Sequence, residues 1–132
     1  QVGPQPLDVP SVLWRFPQVG VKGELTANIL HKKGHCAVPE PLCLETHPNT
    51  LISQTGAWLS HIFDGDPVEV VLVHFQEMRL LDLLFKTHHH SSDRVNRPIN
   101  IGFGYSQALP IVVSGLLAKT GDIHIIENPE TH

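Results

Sequence analysis

Proline placement sets the first limits on what this chain can fold into. Pro4, Pro6, Pro10 and Pro17 remove backbone donors across the first twenty residues, so no long helix forms there. That stretch reads as an irregular leading segment laid over a neighbouring surface. Pro39 and Pro41 mark a second loop, and Asp64-Gly65-Asp66-Pro67 stops the helix before it. Between these breaks the pattern predicts short elements. Gly20-Val21-Lys22-Gly23 is a turn, and residues 24–33 carry Leu25, Ile29 and Leu30 at helical spacing, with Gly34 as the stop. Asn49 suits the N-cap of a second helix, in which Leu51, Ile52, Trp58, Leu59, Ile62 and Phe63 form one stripe expected to be core. Residues 68–73, VEVVLV, predict a strand; residues 79–85 fit either a helix or a strand, and the short connection favours a strand returning beside the first. The polar run from His88 through His89 and His90 to Arg94 predicts a loop. A glycine turn over 102–106, an apolar helix over 107–118 and a strand over 123–126 follow. Leu109, Val112, Val113, Leu116 and Leu117 are the expected core residues of that helix. The mixture predicts an α/β or α+β architecture, without an internal repeat.

Composition narrows the class. With 132 residues, 41% of them hydrophobic and 17% charged, the chain suits one domain with a single core rather than a disordered segment. Its longest apolar stretch, 108–118, is too short to span a bilayer and is interrupted by Pro110, Ser114 and Gly115, so no membrane protein is expected. A net charge of -4 argues against a protein that coats nucleic acid. Cys36 and Cys43 are too few for a disulfide scaffold and fit a reducing cytoplasm. The chain starts at Gln1 and stops at Thr131-His132 just after an apolar strand pattern, which reads as a segment of something longer.

The chemistry concentrates in residues 99–132. A glycine-rich turn leads into a buried helix, and a tight turn leads into a buried strand with acids at its carboxyl end. Gly102 and Gly104 allow the backbone to approach a ligand closely. The helix start behind them offers free N–H groups and the positive end of a dipole, which suit a phosphate. Acids after a buried strand stand where open α/β sheets place ligand chemistry. A carboxylate there holds Mg²⁺ against nucleotide phosphates, directly or through water. Pro110 falls in the first helical turn, where proline is tolerated. Taken singly, the same residues also fit an ordinary turn and a solvated acidic loop, and Gln107 stands where a third fingerprint glycine would be.

Together, Gly102-Phe103-Gly104-Tyr105-Ser106-Gln107-Ala108-Leu109-Pro110 and Ile125-Ile126-Glu127-Asn128-Pro129-Glu130-Thr131-His132 carry a more specific likeness. The segment resembles the signature-to-Walker B region of ABC-type ATPases. It looks closest to the predicted ATPases with a C-terminal domain of unknown function, related to the overcoming-lysogenization-defect and RecF-like proteins. Upstream, Val2-Gly3-Pro4, the run Gln18 to Glu24 and the Trp58-Leu59 helix look like insertion and lid segments of those proteins. The resemblance implies a partial P-loop NTPase fold, α/β in class. Residues 1–98 would form an insertion or lid-like segment, and 99–132 the signature helix and Walker B strand. It implies ATP and Mg²⁺ as cofactors, a second ATPase head as partner, and a role in DNA maintenance or phage defence. Phe103, Gly104, Tyr105, Ser106 and Gln107 occupy the place of the five-residue signature, with Gly102 before them. Gly104 falls where the usual signature has serine, and Ser106 where it has glycine. Glu127 matches the acid that positions Mg²⁺. Asn128 stands where many ABC proteins place the glutamate that orients the attacking water, and Glu130 is the nearest carboxylate that would replace it. His132 matches the first histidine of the family's tail motif. No G-x-x-x-x-G-K-[ST] loop occurs among the 132 residues, so the chain alone is not expected to hydrolyse ATP.

Two other readings belong to different classes. One is a non-catalytic interaction module of the same fold. The other is a small zinc protein built on Cys36 and Cys43 with His31, His35 and His47, which lie close together in sequence. His124, inside the 123–126 strand, is expected on a sheet face or in the core. Arg94 and Arg97 precede the glycine turn, within reach of a bound phosphate or simply exposed.

Overall fold

Runs rich in valine and leucine through the middle of the chain suit a β pleat and build the sheet. A computed structural model describes residues 19–20, 22–64, 67–89 and 92–127. Strand β1 runs Val68–Phe75, β2 Leu80–His89 and β3 Ser92–Asn96, in the order β1-β2-β3 and antiparallel throughout. Val68 pairs with Thr87, Val70 with Phe85 and Leu72 with Leu83, so these six side chains share one face. That face is the buried one, and Phe85 at its centre is 0% exposed. Between β1 and β2 the chain turns through a short 3-10 helix, Gln76–Met78, and Arg79 closes the turn at a φ of 48°.

Helices cover the inner face. Helix α1 is Thr26–Lys33, α2 Leu51–Phe63, α3 the single turn Pro98–Ile101 and α4 Phe103–Leu116. Leu30, Leu51, Leu59, Leu109, Val113 and Leu116 meet Val68, Val70, Leu83 and Phe85 in one core. Burying side chains of this size contributes about 1.5–3 kcal/mol each against the entropy of ordering them. The described residues thus form a small α/β domain: three helices, one extra helical turn and a three-stranded antiparallel sheet. None of the described helices is long and apolar enough to cross a membrane.

Several expectations shift. The cap of α2 is Thr50, whose hydroxyl accepts from Ser53 N at 3.4 Å; Asn49 instead accepts from Val38 N at 2.8 Å and ties down the preceding loop. Gly34 ends α1 with a right-handed φ of -56°, not in the left-handed cap conformation. A Cβ there would meet Leu30 O, so glycine is required by space rather than by φ. Where it is described, the polar run from His88 is strand rather than loop. His88 and His89 belong to β2, and residues 92–96 form β3, pairing Thr87 with Arg94 and His88 with Asp93. Backbone pairing along the edge of β2 overrides the polar composition.

Helix α4 begins at Phe103, four residues before the expected start, so Pro110 lies in its interior. Residues 123–126 join no strand. Ile123 and Ile125 are 83% and 89% exposed, and the segment runs outside the sheet. The sheet is completed by the two hairpins of 68–96 and, among the described residues, gives the isoleucines no neighbour. The proline-rich leader through residue 18, and with it Val2-Gly3-Pro4, lies outside the described residues, as do Val21, Gly65, Asp66, His90, Ser91 and residues 128–132.

Candidate functional site

The glycine-rich run is organised by the junction of α3 and α4. Gly102 ends one helix and caps the next at a φ of 141°, a conformation that favours glycine, and a Cβ there would meet nothing within 4 Å. Its role is therefore conformational. Gly104 has the opposite reason: a Cβ would lie 2.8 Å from Phe63 Cε1, so this glycine lets α4 close on α2. Tyr105 continues that contact. Its ring stacks on Phe63 with centroids 4.4 Å apart and leans toward Phe85 at 6.1 Å. The close approaches expected of a ligand are here made by the protein's own aromatic side chains.

Ser106 differs from its neighbours. Its Oγ is buried and has no hydrogen-bond partner among the described residues. Four residues later comes Pro110, which has no N–H to return to the Ser106 carbonyl. Both residues border a cleft of about 210 Å³ between α4 and the turn ahead of α1, with Leu83 and Leu109 also in its wall and Lys22 at its rim. The turn comes close because Gly23, at a φ of 78°, packs against Pro110, where a Cβ would approach within 2.7 Å. Thr26 Oγ1 donates to Gly23 O at 2.6 Å and holds the turn in place. Glu24 lines the cleft beside Lys22, so the rim carries both charges, the wall is mainly apolar, and the buried Ser106 hydroxyl lies behind it.

The other expected residues scatter. Gln107 is half-buried along α4, and Glu127 is exposed on a bend. Asn128 and Glu130 lie outside the described residues. Arg97 reaches Asp82 at 3.5 Å rather than a phosphate position. His124 is exposed, not in a sheet or core, and its Nδ1 lies 3.0 Å from Ser114 Oγ. That hydrogen bond pins the unpaired 123–126 segment to α4.

The zinc arrangement does not assemble. Cys43 Sγ lies 3.3 Å from Asn49 Oδ1 and 3.6 Å from the Val38 and Pro39 carbonyls, so its thiol is turned into the loop. Cys36 is exposed, and His47 Nδ1 is engaged with Thr46 Oγ1 at 2.8 Å. Cys43 and His47 share a broad open depression with His61 and Asp64, but among the described residues no three such groups converge on one point. Both cysteines are free thiols, with the 3-10 turn Glu40–Leu42 between them in the chain. His31 instead lies beside His74, a residue that sequence spacing gave no reason to select.

Searches against family models, curated proteins and solved structures return no match to this chain. What the structure defines is a class: a small α/β domain with a three-stranded antiparallel sheet and a small, mainly apolar cleft beside α4.

Proposed function

We propose that this chain is the signature-helix portion of an ABC-type ATPase head, with ATP and Mg²⁺ bound between two such heads. The phosphate-binding loop then comes from outside these 132 residues, so the chain alone has no turnover. The observation that carries this reading is the 123–126 segment. Its isoleucines have the composition of a strand buried on both faces, yet they stand exposed, and the segment leads directly to Glu127. A parallel sheet supplied by the rest of a head would cover them and bring the Glu127 carboxylate to a Mg²⁺ site. The unpartnered hydroxyl of Ser106 adds support, because a nucleotide phosphate would satisfy it. On this reading the protein acts in the cytoplasm, beside a second head and a DNA or defence-system partner.

The test is ATP hydrolysis by the complete gene product, with and without Glu127→Gln. The expected result is Mg²⁺-dependent turnover that falls about 100-fold or more on substitution, as when a preorganised charge is removed from a reacting phosphate. A second reading, a non-catalytic interaction module of the same fold, is favoured by Asn128, whose amide accepts no proton at neutral pH. No hydrolysis by the complete protein, together with unchanged behaviour of Glu127→Gln, would select that module instead.

A further inference from the structure

His31 stands in the last turn of α1 and His74 near the end of β1, and both are exposed. Their ring centroids are 4.9 Å apart, with the planes inclined at 59°. Two imidazoles on one metal ion have a spacing fixed by bond lengths. A metal–nitrogen bond of 2.0–2.1 Å plus about 1.1 Å from nitrogen to ring centre puts each centroid about 3.2 Å from the ion. A right-angled pair of such ligands then has centroids about 4.5 Å apart, and a tetrahedral pair about 5.2 Å. The observed 4.9 Å lies between these limits.

We propose that His31 and His74 form a two-imidazole chelate for a divalent transition ion of the Ni²⁺, Cu²⁺ or Zn²⁺ type. Water completes the coordination sphere, because no third histidine, cysteine or carboxylate among the described residues joins the pair. Both rings are at the surface, so small side-chain rotations aim one nitrogen of each at a common point without disturbing the core. Imidazole ligands select these ions over Mg²⁺ and Ca²⁺, which prefer oxygen. The site is separate from the cleft at Ser106 and does not depend on ATPase activity.

The chelate joins two elements far apart in sequence, so it exists only in the folded chain. Metal bound there must therefore stabilise folding, whereas metal held by the sequential His88-His89-His90 run meets the unfolded chain as well and stabilises little. The experiment is urea unfolding of the 132-residue protein with increasing Ni²⁺, a probe chosen because the exposed thiol of Cys36 would compete for Zn²⁺. At Ni²⁺ a hundredfold above its dissociation constant, the folded-to-unfolded ratio should rise about 100-fold. Mg²⁺ should leave it unchanged. His31→Gln and His74→Gln should each abolish the rise, while a triple His88→Gln, His89→Gln, His90→Gln protein should keep it. No rise in the parent protein, or a rise that survives either single substitution, would overturn the proposal. Folding of each variant without metal is checked by its own unfolding midpoint.

Discussion

Gln54 shows how much a single polar side chain organises here. It is 0% exposed inside α2, and its Nε2 lies 3.1 Å from Leu44 O, 3.2 Å from His47 O and 3.1 Å from Pro48 O. Its Oε1 accepts from Leu44 N at 2.8 Å, so one amide holds the whole 44–48 loop against the helix. Gln54→Ala should destabilise the fold by about 2–4 kcal/mol, since a buried N–H and several carbonyls lose their partner. Gln54→Glu should be worse, because it sets a buried carboxylate against carbonyl oxygens. Urea unfolding of both variants checks this order; a Glu variant as stable as the Ala variant would remove the amide from the explanation. Nothing in the sequence marked Gln54, which reads as an ordinary polar helix residue. The stripe expected as core holds only in part: Leu51 and Leu59 are buried and Ile52 and Trp58 pack against the core, but Ile62 and Phe63, in the last turn of α2, are 52% and 37% exposed. The Trp58 indole also donates to Leu42 O at 2.8 Å, a contact made by a loop whose path the sequence does not reveal.

Between elements, α2 and β1 approach closely. A Cβ on Gly56 would lie 2.7 Å from Val68 O, which is backbone and cannot rotate away. Ser60 Oγ strengthens the same junction, donating to Gly56 O at 2.8 Å and accepting from Val68 N at 2.9 Å. Gly56→Ala therefore sets two effects against each other. Helix propensity favours alanine by up to about 1 kcal/mol, and the clash opposes it by about 1–3 kcal/mol. The clash should win, giving a lowered thermal midpoint; a raised one would mean that α2 shifts freely on the sheet. At this scale the helices at 26–33 and 51–63 and the first hairpin were readable, because apolar spacing reports directly which face is buried. Strand β3 was not, because edge pairing needs only backbone and leaves the side chains polar. The early start of α4 was hidden by its glycines. Gly104 reads as a turn residue until Phe63 is seen to occupy the space a side chain would need.

Across the whole molecule, protection should grade from the sheet centre to the C-terminal segment. Strand β2 is paired on both sides and carries Leu83, Phe85 and Thr87 into the core. Residues 123–126 lie outside every ladder. Amide hydrogen exchange should therefore be slowest in β2, opening with a free energy near that of global unfolding, and close to unprotected at 123–126. Comparable protection in the two regions would show that the isoleucine segment is covered in solution. The sequence by itself determined the elements whose apolar period matches their buried face: α1, α2, the β1–β2 hairpin and the aliphatic core of α4. It also supplied the residue types of the candidate site, because a glycine-rich run and an acid after an apolar stretch are visible as letters. Only the tertiary structure decided which of them meet. Among the described residues it turned Gly104 and Tyr105 toward Phe63, left the Ser106 hydroxyl without a partner, brought no three metal-ligating groups together and set His31 beside His74. The physical reason is that periodicity records the direction a side chain takes from its own element, whereas a site depends on distances between elements, which packing of the whole core fixes.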